Sequence, residues 1–68
     1  VLQNSLKKKR TELELTQTEL GKAVKVTRQT IAFIEKGEFA PSVTLALKLS
    51  AALNTPLTEL FWLEEQPS

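Results

Sequence analysis

Cysteine, histidine and aspartate are all missing from this 68-residue chain. Without Cys and His there is no disulfide framework, no thiol nucleophile and no ordinary zinc site. Without His and Asp there is no Ser-His-Asp or Cys-His catalytic constellation, and only Glu, Lys and hydroxyls remain for acid–base work. The inventory points away from an enzyme and calls for no metal or other cofactor. A long hydrophobic run is missing too, because Lys48 interrupts the most apolar stretch, so no membrane partner is expected. The start, Val1-Leu2-Gln3-Asn4, has no signal-peptide pattern, and the expected location is cytoplasmic, with an initiator Met removed. What is present is the composition of a folded domain, 41% hydrophobic and 25% charged. A chain of this length buries only about 60% of its unfolded surface, so it needs a staple. With disulfide and metal excluded, oligomerisation is the staple left.

The net charge of +1 conceals two unlike halves. Residues 1–36 carry eight Lys/Arg and four Glu, a balance of +4; residues 37–68 carry one Lys and four Glu, a balance of −3. A basic half suits an anionic partner, and an acidic half suits a surface turned away from it.

Five short helices are predicted. The first covers 5–13, with Leu6, Arg10 and Leu13 on one stripe and the lysines 7–9 toward solvent. Thr16-Gln17-Thr18-Glu19 has the form of a capping box, opening a helix over 17–24 with Leu20, Ala23 and Val24 inward. Lys25-Val26 is a turn, Thr27 caps a third helix over 28–36, and Gly37 stops it. Ser42 caps a fourth helix over 43–53, whose stripe is Leu45, Ala46, Leu49, Ala52 and Leu53. Thr55 as cap and Pro56 at the first position start a fifth over 56–61. The ends, Val1–Gln3 and Phe61–Glu64, are candidate strands of a small sheet.

The segment 17–36 reads as helix, tight turn, helix, with Leu20, Val24, Val26, Ile31 and Ile34 apolar and Gly21 where a close approach is needed. If the buried face of the third helix is centred between Ile31 and Ile34, then Gln29 and Lys36 point almost directly away from it. Ala32 and Phe33 flank them at ~130°, and Arg28 lies ~90° to one side. A merely solvated face has little use for Phe beside Gln and Ala. A face that enters a major groove uses all three kinds: Gln reads adenine, Arg reads guanine or phosphate, and apolar groups meet thymine methyls.

Five segments carry a resemblance: Leu15 to Leu20, Val26 to Ile31, Ile34 to Gly37, Pro41-Ser42 and Leu45 to Leu49. In them, and on through Asn54-Thr55-Pro56-Leu57 to Phe61, the chain resembles the Cro/cI (Xre) family of phage and bacterial regulators, and most closely its compact stand-alone members. The resemblance covers about residues 6–61. It implies an all-α, five-helix, lambda-repressor-like DNA-binding domain over 1–68. It also implies that Gln17 contacts a backbone phosphate and supports the reading helix, and that Thr27, Arg28, Gln29 and Thr30 lie where that helix meets the groove. Phe33 and Lys36 would face the groove further along, and Ser42 with the amides behind it would form a phosphate clamp. An Arg–Glu ion pair between Arg10 and Glu35 would dock the recognition helix. Two residues depart from the pattern. Lys25 stands where many relatives have Gly, and would be strained if left-handed. Glu38 is an acid close to the expected phosphates.

The function so implied is that of a sequence-specific regulator of transcription, a homodimeric repressor on a palindromic double-stranded operator, with no small-molecule ligand evident. The dimer interface is expected in segment 56–66, through Leu57, Leu60, Phe61, Trp62 and Leu63; the alternative is that Trp62 folds back over the first helix. Two other functions remain open. One is an antitoxin-type protein-interaction module of the same fold, and the other is a purely structural bundle. Glu64-Glu65 reads as a solvated acidic end, not as a pair of catalytic carboxylates.

Overall fold

The computed structural model describes residues 2–64. In chain order the elements are β1 (Leu2–Asn4), α1 (Leu6–Glu12), α2 (Gln17–Val24), α3 (Arg28–Glu35), α4 (Val43–Ala52), α5 (Leu57–Leu60) and β2 (Phe61–Leu63). Val1, Glu65 and Gln66, which figured in the expected strand and interface segments, lie outside the described residues.

Local chemistry sets the helix starts. Thr16 and Glu19 form a reciprocal capping box: Glu19 N–H donates to Thr16 Oγ1 at 3.0 Å, and Thr16 N–H to Glu19 Oε1 at 2.9 Å. The backbone bond from Thr16 holds the Glu19 carboxyl below its ordinary pKa, helped by the Thr16 side chain and by Lys22. Thr27 and Ser42 cap α3 and α4 in the same way, accepting from the N–H groups of Thr30 and Leu45. α5 starts differently from the expectation. Pro56 is its N-cap, and the Thr55 hydroxyl, buried, donates to the Leu53 carbonyl instead. A four-residue helix has little need of a side-chain cap when the Pro56 carbonyl already accepts from Glu59 and Leu60.

The first four helices share one kind of exit. After each, a residue in the left-handed region reverses the chain: Glu14 (φ 58°), Lys25 (φ 62°), Gly37 (φ 78°) and Asn54 (φ 49°). That residue's N–H donates to the carbonyl three back, and the next N–H to the carbonyl five back, as in Gly37 to Ile34 at 3.0 Å and Glu38 to Phe33 at 2.9 Å. This is the Schellman arrangement.

One core holds the elements together: Leu6, Leu20, Val24, Ile31, Ile34, Leu49, Leu53 and Leu60, with Leu15, Val26, Leu45 and Phe61 packed against it. Three residues expected inward are exposed. Leu13 lies beyond the end of α1, where the chain has begun to turn. Ala23 and Ala52 sit roughly 100° from the centres of their buried stripes, and a methyl group gives them little pull toward the core.

The two chain ends meet. β1 and β2 pair antiparallel, Leu2 with Leu63, Gln3 with Trp62 and Asn4 with Phe61. Ser5 extends the seam, its N–H donating to the Leu60 carbonyl at 3.0 Å and its hydroxyl to Glu59 at 2.8 Å. Asn4 also reaches α3, donating from Nδ2 to the Ile34 carbonyl at 2.9 Å. The fold is thus five helices and a two-stranded sheet, and α3 is gripped from α2, α1 and the strand end.

Candidate nucleic-acid interface

α3 is set at its start by a glycine. Val26 N–H donates to Gly21 O at 2.8 Å, drawing the turn against α2. A Cβ at Gly21 would lie 2.7 Å from Val26 O and 3.3 Å from the Thr27 carbonyl carbon. The close approach that the sequence pattern places at Gly21 is therefore made to the turn backbone and the cap of α3 rather than to the body of α3. An alanine would push Thr27, the cap of α3, away from α2.

The other end of α3 is set by a charged network. Glu35, its last residue, accepts from Arg10 Nε on Oε2 at 2.6 Å and from Arg10 Nη2 on Oε1 at 3.3 Å. Arg10 Nη1 donates to the Leu15 carbonyl at 2.7 Å. Gln17 Nε2 adds a bond to Glu35 Oε1 at 3.0 Å. The side chains of Arg10 and Glu35 are only 10% and 5% exposed, so solvent screens the pair little. Among the described residues, no buried side-chain nitrogen or oxygen lacks a partner.

Between these anchors Ile31 and Ile34 face the core, while Gln29 and Phe33 are exposed away from it, Arg28 is exposed at its edge, and Lys36 lies just beyond the helix end. Ala32 and Thr30 are half-buried at its margins. The Thr27 hydroxyl accepts from Thr30 N–H at 3.2 Å and lies 3.1 Å from the Thr30 hydroxyl, so both threonines serve the helix start. Ser42 is committed in the same way to capping α4. Gln17 sits at the first position of α2, half-buried, with one amide hydrogen on Glu35. Glu38 is exposed in the loop beyond α3.

Arg28, Gln29, Phe33 and Lys36 thus form one convex, rigidly backed surface. It offers a guanidinium, a neutral amide, an aromatic ring and an ammonium, with no carboxylate among them, and it is chemically equipped to meet base edges and phosphates. Sequence reasoning missed the Gln17–Glu35 bond and the tie from Asn4 to Ile34. Both partners lie far apart in the chain, and no local spacing signals them. At the other end of the molecule, Leu60 is fully buried in the monomer's own core, so it is not available to an interface with a second copy as expected. Phe61 and Leu57 are half-buried, while Trp62 and Leu63 remain 44% and 73% exposed. Trp62 pairs with Gln3 in the sheet. Among the described residues there is no group of acids that could hold a metal ion, and no helix is long and apolar enough to cross a membrane.

A helix-turn-helix family model (HTH_3) matches residues 6–60. The chain is similar to the uncharacterised HTH-type transcriptional regulator YgzD of Bacillus subtilis, 45% identical over 65 residues that span 96% of this chain and 98% of that protein. An uncharacterised HTH-type transcriptional regulator of Methanothermobacter thermautotrophicus is 44% identical over 61 residues, 88% of each chain. Among solved structures, the restriction-modification controller protein C.AhdI of Aeromonas hydrophila superposes with a TM-score of 0.75 at 30% identity, over 79% of this chain and 82% of that one.

Proposed function

The chain belongs to the helix-turn-helix family of Cro/cI-type, DNA-binding transcriptional regulators, and from that premise we propose that it is a sequence-specific repressor acting as a homodimer on a palindromic operator. The observation that carries the reading is the outer face of α3. It is exposed, free of carboxylates and held at both ends.

In this reading α3 lies in the major groove. Gln29 presents donor and acceptor to an adenine edge, Arg28 takes a guanine edge or the adjacent phosphate, and Phe33 covers a thymine methyl. Lys36 neutralises a phosphate further along. Gln17 has one amide hydrogen left for a phosphate, and the free N–H groups behind Ser42 offer a second phosphate site without a basic side chain. Thr27 and Thr30 act chiefly by fixing the first turn of the helix. The two-fold interface is built on the chain-end sheet, from Trp62 and Leu63 with Leu57 and Phe61 at the margin. It leaves the basic half of each copy for DNA. Repression by occupancy requires no catalysis.

Selection from a random duplex library tests the reading directly. The expected result is an inverted repeat whose half-sites lie about one helical turn, ~34 Å, apart. A recovered motif without two-fold symmetry would refute the dimeric arrangement, and recovery of no motif would refute sequence-specific binding.

A further inference from the structure

α4 is largely apolar: Thr44, Lys48 and Ser50 are its polar residues and Lys48 its only charge. Its core side is Ala46, Leu49 and the adjoining Leu53. The solvent side carries Val43, Leu47 and Ala51 at positions i, i+4 and i+8, an inclined stripe along the helix bordered by Thr44 and Lys48. Val43 is 74% and Leu47 53% exposed. An amphipathic surface helix places polar residues there. At its C-terminal end the stripe runs into an open groove of about 480 Å³ between α4 and the end of α2, lined by Ala23, Val24, Lys25, Lys48, Ala51 and Ala52. The alanines let a partner's backbone approach closely, and Val24 closes the floor. The only charges on the groove are two ammonium groups, Lys25 and Lys48, and neither has an ion-pair partner among the described residues.

We propose that the α4 stripe and this groove are a docking surface for an amphipathic helix of another protein, whose apolar ridge is flanked by carboxylates. Charge selects the occupant. A second copy seated by a two-fold axis through the stripe would bring Lys48 toward the other Lys48, and like charges across an interface are costly. Duplex DNA is disfavoured because leucine and valine offer a phosphate backbone nothing, and DNA-binding surfaces are more polar than this one. A helix with glutamates beside its ridge satisfies both ammonium groups and covers Leu47. The surface rests on the fold and not on the operator reading, and it stands if that reading fails.

The test uses the full chain and two synthetic helical peptides with the same Leu/Ala ridge, one flanked by Glu and one by Lys. Amide shifts followed on titration should map the Glu-flanked peptide to α4 and the end of α2, with affinity at least tenfold above that of the Lys-flanked peptide. The K25E/K48E variant, whose changes are at the surface, should reverse the preference. Equal affinity for the two peptides, binding of neither, or no reversal would overturn the proposal. So would monomers produced by Leu47→Glu from a dimeric parent, which would make the occupant a second copy. DNA contact at the start of α4, behind Ser42, belongs to the operator reading, but shifts of Leu47, Lys48 and Ala51 by duplex DNA would make the face a nucleic-acid contact and overturn the proposal equally.

Discussion

Replacing Arg10 alone should bring the domain close to unfolding. Its guanidinium makes three bonds, two to Glu35 and one to the Leu15 carbonyl, in a site that leaves the two charged side chains 10% and 5% exposed. Arg10→Met keeps most of the apolar stem but strands the Glu35 carboxylate with Gln17 as its remaining side-chain donor. Breaking one side of a buried pair costs on the order of 3–5 kcal/mol. At ~0.05–0.15 kcal/mol per residue, a chain of this length has roughly 3–10 kcal/mol in total. In a domain of this size each kcal/mol moves Tm by ~4–8 °C, so a drop of at least ~12 °C is expected. Glu35→Leu should cost about as much, since it leaves the guanidinium buried without its counter-charge. The double variant Arg10→Met/Glu35→Leu should be more stable than the two single losses summed, by ~2 kcal/mol or more, because neither charge is then left alone. Thermal and urea melts of the four proteins close the cycle. Single losses under ~1 kcal/mol, or additivity within ~0.5 kcal/mol, would show that the pair does not hold α3 as the geometry indicates.

Gln29→Ala should lose about 1–3 kcal/mol of discrimination at one base pair per half-site while non-specific binding is retained; an unchanged selection motif would show that this side chain reads no base. Trp62→Lys should give monomers with sharply reduced operator affinity and an unchanged helical spectrum, and sedimentation of a parent already monomeric at micromolar concentration would refute the interface. Acidification should weaken the start of α2. The Glu19 carboxyl is depressed in the folded chain, so its contribution is whole above the ordinary value of 4.5 and is lost as pH falls through the lower folded value. Glu19→Gln should flatten the stability–pH curve in that acidic window and leave its neutral limb parallel to the parent's; equal slopes would show that the box contributes nothing titratable.

The starts of α2, α3 and α4 were legible because their cause is local. Thr16, Thr27 and Ser42 each reach a backbone N–H three residues on, a distance the sequence displays. The orientation of α3 was legible because Ile31 and Ile34 define one narrow stripe. α4 was harder, since a helix with apolar residues on every side does not announce which of them is core; the spacing puts Ala52 inward, and the structure exposes it together with Leu47 and Val43. α5 is a single turn, too short for periodicity to separate Leu60, which fills the core, from Leu57, which does so only in part. The bond from Gln17 to Glu35 spans 18 residues and exists only because α2 and α3 are already packed.

The shared helix exits put Lys25 under two opposing demands. An L-residue in the left-handed region costs ~1–2 kcal/mol, and glycine there gives back part of that gain as chain entropy, so Lys25→Gly and Glu14→Gly should each stabilise by up to ~1 kcal/mol. Glu14 is exposed and takes no part in either proposed surface, and its replacement should be free of consequence for binding. Lys25 lines the groove beside α4. Lys25→Gly should therefore give a protein that melts later and holds a carboxylate-flanked helix less well. That is a trade of activity against stability at a single backbone position, and the left-handed lysine is what the chain tolerates to keep its ammonium there.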